Sequence, residues 1–341
     1  MKIANRVRRL SQLLRRENLH RLLIFVIFLI LMGTLAITIF EEISWTSALW
    51  WSIVTITTVG YGDISPVTLG GRVVAGVMMV FGIGILGLFT ATIASIFVER
   101  KMKEDRGMHS YEFQNHIIIC EWNHRAQEII NELRMDHRTE SAPIILIAEL
   151  ETKPVDDDNL HFIQGDVTED NLKRANIERA KTVVVLGDDQ LDANARDAKA
   201  VLTTLTIETM NPNVYSIVEL VNEANVQHCE RANANEIIVG SEFTSKLISR
   251  AALDHGISKV LSELLSSRFG NDLFKIPVPE SMQGKNFMDI FAEMKRSNNS
   301  IILGVQKGNI GEVISNPSID YQVEADDYLI LISDGKPQTI S

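Results

Sequence analysis

The sequence predicts two joined parts. The first is an α-helical membrane module of two spans with a re-entrant helix between them. The second is a doubly wound α/β domain. Three observations predict this. Two long uncharged apolar stretches lie near the N-terminus. Short apolar runs then alternate with helical stretches through the middle of the chain. Charge is segregated along the sequence rather than mixed.

The bulk figures hide that segregation. The chain has 341 residues, 45% hydrophobic and 23% charged, with two cysteines and a formal net charge of −11. These values exclude a collagen-like or wholly disordered chain and a small disulfide scaffold. A globally acidic chain is also a poor non-specific partner for nucleic acid. Residues 1–21 set seven basic side chains against Glu17, a net of +6. Residues 22–98 carry a net of −2, and residues 99–341 a net of −15.

Residues 22–40 form an uncharged run of 19 residues, and residues 73–98 one of 26. About 20 apolar residues cross the hydrocarbon layer of a bilayer, so both are long enough to span. The first run is too long for a secretory leader and no small-x-small cleavage site follows it. The arginines before it predict a cytoplasmic N-terminus, and Arg100, Lys101, Lys103 and Arg106 after the second run agree. The loop between the spans is then external. Val7, Leu10 and Leu14 recur at helical spacing and predict a short interfacial helix on the bilayer surface.

The loop between the spans begins at Trp45 with an apolar, Trp-rich stretch too short for a further span and its turns. Irregular backbone at membrane depth is tolerated only where protein or water surrounds it. The stretch ends in Thr58, Val59, Gly60, Tyr61 and Gly62, followed by Asp63. A dehydrated potassium ion needs a ring of oxygen ligands, and inward-pointing backbone carbonyls supply them. Gly60 and Gly62 permit the positive φ that such a backbone requires. Four copies are needed to surround the ion, with Val59 and Tyr61 bracing from outside. Residues 22–98 resemble the pore module of two-transmembrane-helix potassium channels. The resemblance implies potassium coordination at Thr58, Val59, Gly60 and Tyr61, and a homotetramer in the cell membrane. It implies a hydrogen bond from a pore-helix tryptophan, here Trp51, to Asp63. It also makes Gly82 or Gly84 the gating hinge. Val54 stands where some members carry a glutamate behind the filter. No span carries repeated arginine, which excludes an S4-type voltage sensor.

Beyond a polar linker at 99–114, apolar runs at 116–120, 143–148, 161–163, 182–186, 214–218 and 236–239 alternate with helical stretches such as 124–135 and 191–210. That alternation predicts a parallel, Rossmann-like sheet. The turn after the first strand holds Glu121, Asn123 and Ala126 where a dinucleotide fold places its glycines. Gly165, Asp166, Thr168, Leu172 and Ala175 follow the third strand. Residues 115–240 thus resemble the N-lobe of RCK domains, regulators of potassium conductance. Residues 241–270 are similar to their crossover helices. Residues 271–341, with Gly304 to Gly308 and Asp326 to Ser333, are similar to their small α+β C-lobe.

The resemblance implies a ring of RCK domains whose expansion pulls on the inner helices through the 99–114 linker, and a choice of ligands. An adenine nucleotide or NAD would sit over Asn123, Glu149 and Asp166. Calcium would use Asp188, Asp189, Glu219 or Glu223, although Leu186 stands where calcium-gated archaeal members place a carboxylate. A cyclic dinucleotide would bind between C-lobes. Additional soluble RCK copies could start at Met108. Two other readings stay open: a membrane-anchored NAD-dependent oxidoreductase and a non-conducting regulatory subunit. Cys120 on a strand and Cys229 in a helix read as reduced structural thiols.

Overall fold

The structure is a computed structural model that describes residues 19–266 and 270–335. The interfacial helix expected around Val7, Leu10 and Leu14 lies outside those residues. The chain divides into two compact units, residues 1–103 and 104–341.

In the first unit, helix α1 (Leu19–Glu41) and helix α3 (Leu69–Asp105) are long and apolar, and α2 (Trp45–Ile56) lies between them in the chain. At 1.5 Å per residue α2 is about 18 Å long, too short to span a bilayer, while α3 reaches about 55 Å. A core helix of a soluble protein would be mostly buried. Here only 17% of each span's most apolar window is covered by the chain itself. Residues such as Ile24, Ile39, Val80 and Ile83 point out of the unit. The contacts between helices come from small residues. A Cβ on Gly33 would lie 2.6 Å from Met78 Cε, and one on Gly70 2.4 Å from the Phe40 ring. Thr34 Oγ1 donates to Ser52 Oγ at 3.2 Å, joining α1 to α2 inside the packed region. Ile37, Ala48, Trp51 and Ala75 make the small core.

The expected linker at 99–114 is not an irregular segment throughout. Helix α3 continues through its first part to Asp105. Its polar composition reads as linker in the sequence, but lysine, glutamate and methionine are good helix formers that extend a helix already nucleated.

The second unit opens on a six-stranded parallel sheet built from β1 (Ile117–Cys120), β2 (Ile144–Ala148), β3 (Leu160–Gln164), β4 (Thr182–Val185), β5 (Tyr215–Leu220) and β6 (Glu236–Val239). Their spatial order is β3-β2-β1-β4-β5-β6. Helices α4 (His124–Met135), α5 (Glu169–Arg174), α6 (Ala193–Met210) and α7 (Val226–Arg231) form the crossovers. Alternate residues of β1 and β2 feed two separate cores. Ile118, Cys120, Ile145 and Ile147 face one side, and Ile117, Ile119, Ile144 and Leu146 the other. Burial on both faces is why these strands read as continuous apolar runs. The order reverses between β1 and β4, which places a crevice at the carboxyl ends of those strands.

Helices α8 (Gly240–Leu253) and α9 (Ile257–Leu265) follow, and neither has a buried residue. The C-terminal lobe is an antiparallel sheet of β7 (Asp272–Pro277), β8 (Ile301–Lys307), β9 (Val313–Ser315) and β10 (Asp327–Ser333), in the order β7-β10-β8-β9. Helix α10 (Phe287–Asn298) covers it through Ile290 and Met294.

Candidate functional site: the pore loop and the switch-point crevice

The pore loop begins at Ser44, whose hydroxyl accepts from the Ser47 amide and caps α2. Ala48, Trp51 and Ser52, spaced i, i+3, i+4, turn inward. The helix ends at Ile56 and the chain enters the Thr58–Gly62 segment. Backbone φ is +59° at Gly60 and +76° at Gly62, and also +59° at Thr58. The Val54 carbonyl gathers the amides of Val59 and Gly60 at 3.1 and 3.4 Å. The chain is thereby held with its amides turned back onto α2. Among the described residues, no hydrogen bond ends on the carbonyl oxygens of Thr58 through Gly62.

The tryptophan assignment needs correction. Trp50, not Trp51, donates its indole Nε1–H to Asp63 Oδ2, at 2.8 Å. Successive helix residues point about 100° apart, so the two cannot share a role. Trp51 faces the α1 and α3 core and is 5% exposed. Trp50 lies outside that core and stacks on Tyr61, with ring centroids 5.9 Å apart and planes 6° apart.

The two glycines expected as alternative hinges also differ. A Cβ on Gly82 would lie 2.9 Å from Ile56 Cγ1 and 3.3 Å from its Cα, so Gly82 is a close-packing position against the end of α2. Gly84 has nothing within 4 Å of a built Cβ. Helix α3 runs unbroken through both.

In the sensor-like unit the expected nucleotide residues do not frame an open crevice. Asn123 caps α4: its Oδ1 accepts from the Ala126 amide at 3.0 Å, and its Nδ2 donates to the Gly187 carbonyl at 2.9 Å. Asp166 pairs with Lys199 at 3.2 Å. Glu149 lines a cavity of about 60 Å³ with Glu121, Trp122, Asp188 and Asp189. That is far below the 300–1,000 Å³ of ordinary ligand pockets.

The expected calcium residues are likewise occupied. Asp188 holds Lys199 at 3.0 Å, and Asp189 holds Arg125 at 2.8 Å and Arg196 at 3.0 Å. Glu219 pairs with Arg125 at 2.7 Å and accepts from the Gly187 amide at 3.0 Å. Among the described residues no group of three or more His, Cys, Asp or Glu side chains converges to hold a metal. Glu223 opens the short helical turn after β5. Beside it, Asp197 is fully buried and fixes the end of β5 by accepting from the Val221 and Asn222 amides at 2.8 and 2.9 Å.

The ion pairs set the titration. Burial pushes the Glu121 carboxyl above the usual carboxylate range, with Lys199 opposing. Burial acts against the Lys199 ammonium, yet its three carboxylate partners hold its pKa above the ordinary lysine value. Asp188 is held low despite burial, by the Gln190 amide and Lys199. Cys120 and Cys229 are free and buried, and burial raises both thiols, Cys229 to about 11. They are inert packing residues. Lys199 carries no motif that marks it in the sequence; it is one polar residue in an amphipathic helix.

A two-helix module with a re-entrant loop, followed in the chain by a switch-point α/β domain and an antiparallel lobe, defines a channel pore with a regulatory domain. Comparison with known proteins agrees along the chain. Residues 24–99 match the ion channel family, residues 112–218 the slowpoke-like RCK domain of calcium-activated potassium channels, and residues 241–340 a part of the voltage-gated ion channels Castor and Pollux. The calcium-gated potassium channel TvoK of Thermoplasma volcanium is 34% identical, the match covering 86% of this chain and 83% of TvoK. The Bacillus subtilis protein YugO, described as a putative potassium channel, is 31% identical over 91% of this chain and 95% of its own. The human SLO3 gating ring shares the fold at a TM-score of 0.55 and 20% identity, over 65% of this chain and 48% of that one. The chain belongs to the family of prokaryotic potassium channels that join a two-helix pore to an RCK domain. It is a membrane protein, and its function is that of the family: a potassium channel controlled by a ligand-sensing domain.

Proposed function

We propose that the carbonyls of Thr58 through Tyr61 from four copies surround dehydrated potassium, and that the RCK unit opens or closes this path through α3. The observation that carries the reading is the filter backbone. Its amides are turned onto Val54, its φ values are positive at Thr58, Gly60 and Gly62, and its carbonyls are left for another partner. Tyr61 and Val59 are 68% and 54% exposed in the single chain, which suits side chains that neighbouring copies cover. The apolar faces of α8 and α9, with Phe243, Ile248, Leu253 and Val260 exposed, suit assembly of the RCK units into a ring.

The protein sits in the cell membrane with both termini cytoplasmic, as the basic flanks of the spans favour. Calcium is the regulatory ligand to test first. TvoK bears that name, and the region 99–341 carries net −15. A calcium ion at Asp188, Asp189 or Glu219 would have to displace Arg125, Arg196 or Lys199. An oxidoreductase reading has no cavity for its cofactor at the crevice.

The test is flux into liposomes holding the purified protein, followed by bilayer recording with calcium, ADP, NAD and cyclic dinucleotides. Rubidium uptake far above sodium uptake, with open probability changed by one ligand, is the expected result. Equal passage of sodium and rubidium would refute the filter assignment.

A further inference from the structure

We propose that Glu121 and Lys199 form an internal latch that fills the switch-point crevice in the place a nucleotide's phosphates would take, closing this crevice to phosphate ligands. The proposal deepens the regulatory reading of the RCK unit, but its charge arrangement stands without any statement about conduction.

The charges by which such a crevice binds phosphate are here paired from within. Glu121 directly follows β1, where dinucleotide folds place a glycine for the tight turn. It keeps the glycine conformation, with φ at +77°. A side chain in the left-handed region is strained and persists only where its surroundings over-determine it. What the strain achieves is the position of the carboxylate. It is 12% exposed and its Oε1 lies 2.7 Å from Lys199 Nζ.

The same ammonium lies 3.0 Å from Asp188 and 3.2 Å from Asp166. A lysine has three N–H donors. Here the ammonium faces three carboxylates from the ends of β1, β3 and β4, on both sides of the switch point, and hydrogen-bonds to the one on Asp188. At the start of α4, where amides would face an anion, that of Ala126 is engaged by the Asn123 side chain at 3.0 Å. The remaining space of about 60 Å³ holds a water or two rather than a nucleotide. An incoming phosphate would meet Glu121 and Asp188 before it met a free cation.

The test uses the full-length protein in nanodiscs. Calorimetry with ADP and with NAD is expected to show no saturable binding at millimolar nucleotide. Amide hydrogen exchange is expected to quicken by about tenfold in Lys199→Met at the ends of β1, β3 and β4 together. Glu121→Gln should reproduce this pattern, so the reading survives if one variant fails to fold. Lys199→Arg should return exchange towards the wild-type rate. Saturable nucleotide binding by the wild type that Lys199→Met weakens would make Lys199 a ligand-binding residue and overturn the latch. Unchanged exchange at the three strand ends in folded Lys199→Met and Glu121→Gln would also overturn it. A protein that passes no rubidium leaves both measurements readable.

Discussion

At the scale of the residue, two adjacent tryptophans have unrelated tasks. Trp50→Phe keeps a ring to stack on Tyr61 but loses the donor to Asp63. This bond is exposed, so its loss is worth about 1 kcal/mol. It should appear as faster decay of current with normal expression. Trp51→Ala empties a core position at a cost of about 3–5 kcal/mol and should appear as loss of folded channel. Recording and expression level separate the two. His116 gives a second prediction at this scale. It is fully buried, its Nε2 lies 2.8 Å from the Ala175 carbonyl, and burial lowers its pKa from the ordinary 6.5. His161 is lowered by burial too, although Glu104 opposes the shift. A lowered folded pKa means that the unfolded chain binds more protons just below the unfolded value. The stability from neutral His116 is therefore present above about pH 6.5 and lost as pH falls towards the folded pKa. The loss is at most about 1.4 kcal/mol per pH unit for each group. Thermal melts between about pH 7.5 and about pH 5 should fall on the acid side, and His116→Gln should flatten part of that fall.

At the scale of the element, the strands of the sensor were readable because burial on both faces leaves an unbroken apolar signature. Runs such as 116–120 and 143–148 fall on β1 and β2 for that reason. Helix α4 matches the expected 124–135 because Asn123 caps its start. The end of α3 was not readable, since its polar composition resembles a linker and only continuity with a long apolar helix decides it. Nor could spacing choose Trp50 over Trp51, because only the rotation of α2 against α1 does so. Lys199 was invisible because its partners come from three distant strand ends. The glycines of α3 show the same limit and yield a prediction. Gly82→Ala forces a methyl to 2.9 Å from Ile56 and should cost about 1–3 kcal/mol by overpacking beneath the filter. Gly84→Ala meets open space and should stiffen the helix by up to about 1 kcal/mol. In single-channel records, Gly84→Ala is then expected to lower open probability with unchanged conductance. Gly82→Ala should reduce conductance or assembly. Equal behaviour of the two would remove Gly84 as the hinge.

At the scale of the whole molecule, pore and sensor are joined through one helix whose last two residues belong to the sensor unit. Just after it, the chain turns at Gly107, with φ at +64°. Its carbonyl accepts from the Gln164 amide at 3.2 Å and from Arg174. The Lys153 amide donates to the Asp105 carbonyl at 2.7 Å, and His161 Nδ1 lies 3.5 Å from Glu104. The end of α3 is thus pinned to β3, and we propose that motion of the sheet passes into the helix through these bonds. Gly107 is the one position here that admits no side chain. A Cβ would lie 2.3 Å from the Gln164 nitrogen, which is backbone and cannot swing away. Gly107→Ala therefore has to lift the helix end from β3, at about 1–3 kcal/mol for the clash and about 1–2 kcal/mol for the left-handed backbone. The filter segment Thr58–Gly62 lies far from this change in sequence and keeps its own hydrogen bonds to Val54. Rubidium flux through Gly107→Ala should persist, while the change in open probability with ligand should shrink severalfold. A variant that assembles normally and keeps the full ligand response would show that the helix end does not transmit the sensor's movement.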